Sequence, residues 1–132
     1  MRVEWKARLI QLARRPAVGW VIGWVFAKMS FLLPVDRLVE TEELVAFWHP
    51  QPAYATHILI VPKRAYPSLT AVPAGEGAFW GALMETVQQL VRELGLDEGG
   101  YRLIANGGAY QEVGQLHFHL VSDRPSAGAG RT

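Results

Sequence analysis

Cysteine is absent from this 132-residue chain. That rules out a disulfide framework, a thiol nucleophile and any cysteine-type zinc site, and an intracellular protein fits it easily. An excess of one charge is missing as well: 13 basic and 12 acidic side chains leave a formal net charge of +1. The distribution is uneven, because residues 1–15 hold Arg2, Lys6, Arg8, Arg14 and Arg15 against Glu4, and the remainder carries eight basic and eleven acidic residues. No basic stripe runs through the body of the chain, so general nucleic-acid binding is not expected. Long apolar runs are also lacking. The longest early one, Ala17 to Ala27, has eleven residues before Lys28 breaks it, whereas a spanning helix needs about 20. No small-residue cleavage site follows, so a secretory leader is not expected either. Membrane contact, if any, would be peripheral and through residues 1–25, and the expected location is cytoplasmic.

Half of the residues are apolar, enough for one globular domain with a real core. Trp5, Leu9 and Leu12 recur at helical spacing, so residues 3–15 read as an amphipathic helix ending before Pro16. With the apolar stretch after it, residues 1–25 form an N-terminal extension suited to packing on the domain or on a partner subunit. Val35 to Glu40 and Leu44 to Trp48 read as a hairpin turning at Thr41-Glu42-Glu43. His49-Pro50-Gln51-Pro52 forces an extended loop, since proline bars a helix there. His57 to Val61 is a continuous aliphatic run, expected as a buried central strand stopped by Pro62. After a loop over residues 63–75, Phe79, Leu83, Val87, Leu90, Val91 and Leu94 fit one face of a helix from Glu76 to Leu94, and Gly95 serves as its C-terminal cap. Strands follow over 101–105 and 115–121, and the tail from Asp123 to Thr132 reads as a flexible end. The order predicts an α+β fold: an antiparallel sheet of about five strands packed on one main helix.

Gln115-Leu116-His117-Phe118-His119-Leu120-Val121 alternates strictly between polar and apolar. On a strand, Gln115, His117 and His119 would share one face and Leu116, Phe118 and Leu120 the other. Such a pair of imidazoles can be two solvated side chains, or it can supply a base, a nucleophile or metal ligands near neutral pH. The segment before it favours chemistry. The strand ending at Ala105 runs into Asn106-Gly107-Gly108, whose glycines let backbone N–H groups approach an anion. A glycine-rich turn beside two co-facial histidines reads as a phosphate site beside a nucleophile.

These blocks resemble the histidine-triad (HIT) family of nucleotide hydrolases and transferases. The family signature alternates three histidines with apolar residues after an Asn-Gly loop and a Gln. Asn106-Gly107-Gly108, Gln111-Glu112-Val113 and Gln115 to Val121 correspond to it here. A second block, Thr56-His57-Ile58-Leu59-Ile60-Val61-Pro62-Lys63, matches the family's Thr-His and the apolar strand ending in Pro-Lys. The resemblance spans about residues 26–122. It implies a nucleoside phosphate cleaved at its α-phosphorus, with His117 as nucleophile forming a nucleotidyl-histidine that water then hydrolyses. His119, Asn106 and Gln111 would bind the phosphate oxygens, with Gln115, His57 and Glu112 in the same region. Phe26 and His49 would lie toward the ribose and base. The scheme implies no cofactor and no metal, and a homodimer.

Two positions depart from the family pattern. Gln115 stands where the first histidine is usual. His49 falls near the place of an acidic residue that holds the ribose hydroxyls, which puts ribonucleotide preference in question, and it is expected as an ordinary exposed loop histidine rather than a ligand contact. Glu112 is expected as a solvated loop charge rather than a general acid. The runner-up to an enzyme is a nucleotide-binding regulatory module with little or no turnover. A metal site at His117 and His119 would need a third histidine, His57 or His49, delivered by the fold.

Overall fold

The computed structural model describes residues 37–126. The expected N-terminal helix, the apolar segment after it, Phe26 and the last six residues of the tail lie outside the described residues. Five strands are observed in chain order: β1 (Arg37–Glu40), β2 (Leu44–Trp48), β3 (Thr56–Pro62), β4 (Arg102–Ala105) and β5 (Phe118–Ser122). They form one antiparallel sheet in the order β1-β2-β3-β5-β4. A long helix, α1 (Gly77–Glu93), and a short one, α2 (Leu96–Gly99), connect β3 to β4. The expected α+β architecture is therefore the observed one. Among the described residues no helix is long and apolar enough to cross a membrane.

Local chemistry explains the boundaries. At the first hairpin Thr41 Oγ1 accepts from the N–H groups of Glu43 at 3.0 Å and Leu44 at 3.1 Å, a hydroxyl standing in for a turn carbonyl. Helix α1 buries Phe79, Leu83, Thr86, Val87, Leu90 and Val91, the stripe that its 3.6-residue period requires. Gly95 follows it at φ +66°, the left-handed conformation that ends helices and that favours glycine. That stripe packs on Leu44, Ala46 and Trp48 of β2, Ile58 and Ile60 of β3, and Phe118 and Leu120 of β5. Full burial of each large apolar side chain contributes about 1.5–3 kcal/mol, so the helix is anchored to the strands that carry the histidines.

One boundary differs from expectation. The last strand begins at Phe118, not Gln115. The Leu116 N–H bonds to the Tyr66 carbonyl at 2.8 Å, and Gln115 Nε2 donates to the Arg64 carbonyl at 3.1 Å. These tie residues 115–116 to the loop after β3 instead of to the sheet ladder. Leu116 still joins the core with Phe118 and Leu120, so the alternation outlasts the loss of pairing. Gln115 breaks it, because its side chain is fully buried rather than sharing an open face with the histidines.

A candidate histidine-cluster active site

Register brings the imidazoles together. His57 pairs with Val121 and Leu59 with His119 across β3 and β5, so His57 and His119 are diagonal neighbours on one face. His57 Nε2 and His119 Nδ1 are 2.9 Å apart. His117, directly before β5, places its ring 5.0 Å from that of His119, edge to face. His49 follows β2, and its N–H bonds to the His57 carbonyl at 2.9 Å. Its ring lies 4.3 Å from His57 and 6.2 Å from His119. His49 is therefore a half-buried member of the cluster and not a solvated loop residue. Tyr54 closes one side, with its ring edge-on to His57 at 5.4 Å.

Backbone partners assign the tautomers. Ala53 N–H donates to His57 Nδ1 at 3.0 Å, so the proton of neutral His57 is on Nε2 and passes to His119 Nδ1 as a hydrogen bond. His119 must then carry its own proton on Nε2. His117 Nδ1 lies 2.8 Å from the Gln115 carbonyl; a carbonyl only accepts, so Nδ1 bears the proton and Nε2 keeps a free lone pair. Gln51 N–H donates to His49 Nδ1 at 3.0 Å, leaving a proton on His49 Nε2. The cluster thus offers one nitrogen nucleophile, at His117, beside N–H donors on His119 and His49.

Electrostatics oppose the charging of His49, His57 and His119. Burial first, and the neighbouring His49 second, push His57 down to about 4. His119 is likewise pushed down to about 4, by burial and then by His117, His57 and His49. His49 is lowered by burial and then by His117. Imidazoles this close cannot all charge, because each proton opposes the next.

The remaining sequence-predicted residues are placed unequally. Asn106 follows β4 directly, one residue beyond the pairing of Ala105 with Phe118, and is half-buried. Gln111 is buried, and its Nε2 donates to the carbonyls of Pro67 at 2.6 Å and Val113 at 2.9 Å. Both amide hydrogens are thereby engaged, so Gln111 braces the loop and has none left for a phosphate, which only accepts. Gln115 contributes a backbone carbonyl to His117 while its amide is committed to Arg64. Glu112 is exposed, as expected of a solvated charge. Reading the sequence missed Tyr54 and the amides of Gln51 and Ala53. The Pro-rich loop carrying them has no periodicity, and backbone donors leave no residue-type signal.

A five-stranded antiparallel sheet on one long helix, with three histidines gathered at β3 and β5 and a fourth from the loop after β2, defines the class. The chain belongs to the HIT domain family, whose model matches residues 32–126. Among curated relatives, it is 38% identical over 96 residues to an uncharacterized 13.2 kDa HIT-like protein of Azospirillum brasilense, covering 70% of this chain and 78% of that one. It is 33% identical over 95 residues to the purine nucleoside phosphoramidase of Escherichia coli K12, covering 70% and 80%. A histidine triad protein from Clostridium difficile has the same fold, with a TM-score of 0.68, 30% identity and coverage of 80% and 94%.

Proposed function

We propose that this chain is a nucleotide hydrolase or nucleotidyl transferase that cleaves at the α-phosphate of a nucleoside phosphoramidate or dinucleoside polyphosphate, through a covalent nucleotidyl-histidine at His117. The observation that carries the proposal is the His117 tautomer. With Nδ1–H held by the Gln115 carbonyl at 2.8 Å, the free lone pair of the neutral His117 ring is on Nε2, the nitrogen that attacks. Its lone pair forms a bond to phosphorus as the bond to the amine or phosphate leaving group breaks, and water supplies the proton taken by an amine. Water then attacks the same phosphorus, and the His117 nitrogen leaves. Charge on the phosphoryl oxygens is met by His119 Nε2–H and by Asn106; donors aimed at developing charge supply much of the rate in such reactions. His57 acts by holding the His119 proton on that nitrogen.

In this reading Gln115 replaces the first family histidine with a side chain that cannot titrate. The carbonyl orienting His117 is backbone and survives the replacement, which favours retained turnover over a silent binding module. The relationship to the Escherichia coli phosphoramidase supports a phosphoramidate as the first substrate to try. A homodimer in the cytoplasm belongs to the same proposal, with the main helix and a strand at the contact; sedimentation of a monomer would remove the dimer. The enzyme is tested by hydrolysis of adenosine phosphoramidate, diadenosine polyphosphates and a fluorogenic adenylyl-amine by wild type and His117→Ala, without added metal. Turnover lost in the variant is expected; tight nucleotide binding without turnover in wild type would establish the binding module instead.

A further inference from the structure

We propose that His49, His57 and His119 form a tripod for a zinc-type divalent cation. The nucleotide chemistry above does not need it. One potential ligand atom from each residue lies within 4.8 Å of the other two. Three imidazoles sharing one Zn²⁺ at about 2.0–2.1 Å in tetrahedral directions hold their ring centroids roughly 5.2 Å apart. The observed separations are 4.3 Å for His49–His57, 5.1 Å for His57–His119 and 6.2 Å for His49–His119. They straddle that distance, so ring rotations and a shift of His49 by about 1 Å would complete the geometry. Three neutral nitrogen ligands with an open fourth position suit zinc, copper or nickel and discriminate against magnesium and calcium, which take oxygen.

The metal-free hydrogen bonds show what must change. His119 Nδ1 already presents a lone pair, now occupied by the His57 Nε2 proton. Coordination through His57 Nε2 moves that proton to Nδ1 and releases the Ala53 N–H. Coordination through His49 Nε2 does the same to the Gln51 N–H. No proton is gained or lost overall. Gln51 and Ala53 are both exposed, so water takes up the released donors at little cost, and the 50–55 loop is the part that moves. His117 stays outside the tripod, with its Nδ1 on the Gln115 carbonyl.

The test is titration of tag-free, chelator-treated full-length protein with Co²⁺ alone, read by visible absorption, and then with Zn²⁺ as competitor. Wild type should saturate at one ion per chain, with the intense bands of a low-coordinate nitrogen site, and Zn²⁺ should displace them. His49→Asn and His119→Asn, shown folded by circular dichroism, should each weaken binding by roughly tenfold or more. His117→Ala should bind cobalt as wild type does. Binding unchanged in folded His49→Asn, or no binding by wild type, overturns the tripod. Loss of turnover in His117→Ala with its cobalt spectrum intact separates this proposal from the enzymatic one, since either can then fail alone.

Discussion

The His57 ring links a loop amide to His119, accepting from Ala53 N–H at 3.0 Å on Nδ1 and donating from Nε2 to His119 Nδ1 at 2.9 Å. The direction of the first bond sets the second, and the second decides which nitrogen of His119 faces a ligand with a proton. A backbone amide two residues beyond Gln51 thus controls the hydrogen-bonding character of a side chain on another strand.

Replacing His57 with Ala should therefore lower kcat far more than it weakens binding, because His119 loses its enforced tautomer while remaining in place. The loss should be about 10- to 1000-fold, the range for removing one transition-state donor or its orienting group. Steady-state kinetics on a phosphoramidate checks it, and an unchanged kcat would remove His57 from the machinery.

Acid should destabilise the metal-free fold through the same cluster. His57 and His119 are pushed down to about 4 in the folded chain, against about 6.5 when unfolded. Between these values the unfolded chain binds protons that the folded one refuses, so stability is full above about pH 6.5 and is lost as pH falls toward 4. Tm measured from pH 7.5 to 4.5 should fall, and by less in His57→Gln, which has one imidazole fewer. Equal falls in both proteins would contradict this assignment.

Gln115→Glu should be severe and pH-dependent. The amide is fully buried and its Nε2 donates to the Arg64 carbonyl at 3.1 Å; a carboxylate there has no donor for that carbonyl and loses its hydration. The cost at neutral pH should be about 3 kcal/mol or more. Burial raises the folded-state pKa of such a group, so the loss should ease as pH falls through that raised value and vanish below the carboxylate's unfolded pKa. Denaturant melts at pH 8 and pH 5 measure the difference; a smaller loss at pH 8 than at pH 5 would show that the carboxylate has found a partner.

Phe79→Ala should remove the contact between helix and histidine strand. Phe79 is buried, lies edge-on to Tyr66 at 5.8 Å and to Trp80 at 5.0 Å, and sits 6.4 Å from Phe118. A loss of about 3–5 kcal/mol is expected, read as a lower urea midpoint. A change under 1 kcal/mol would mean that the core closes over the gap.

The sheet and the main helix were legible because their patterns are strong. The helical stripe from Phe79 to Val91 and the aliphatic run of β3 each admit one placement, and the family blocks supplied the site region. Gln115 was misread because its polarity fits the alternation, while its partner, the Arg64 carbonyl, lies 51 positions away and has no side-chain signature. Gln111 looked like a phosphate donor for the same reason: residue type shows capacity to donate, not whether the hydrogens are already engaged. His49 joined the cluster through the antiparallel pairing of β2 with β3, which brings the residue after Trp48 alongside His57.

The most direct test of the account is to mix the protein with adenosine phosphoramidate, quench in base, where a phosphorus–nitrogen bond to imidazole persists, and map the modified peptide by mass spectrometry. One adenylyl group on His117, absent when the experiment is repeated with His117→Ala, is the predicted result. Turnover without any such adduct, or an adduct on His119, His57 or His49 instead, would contradict it.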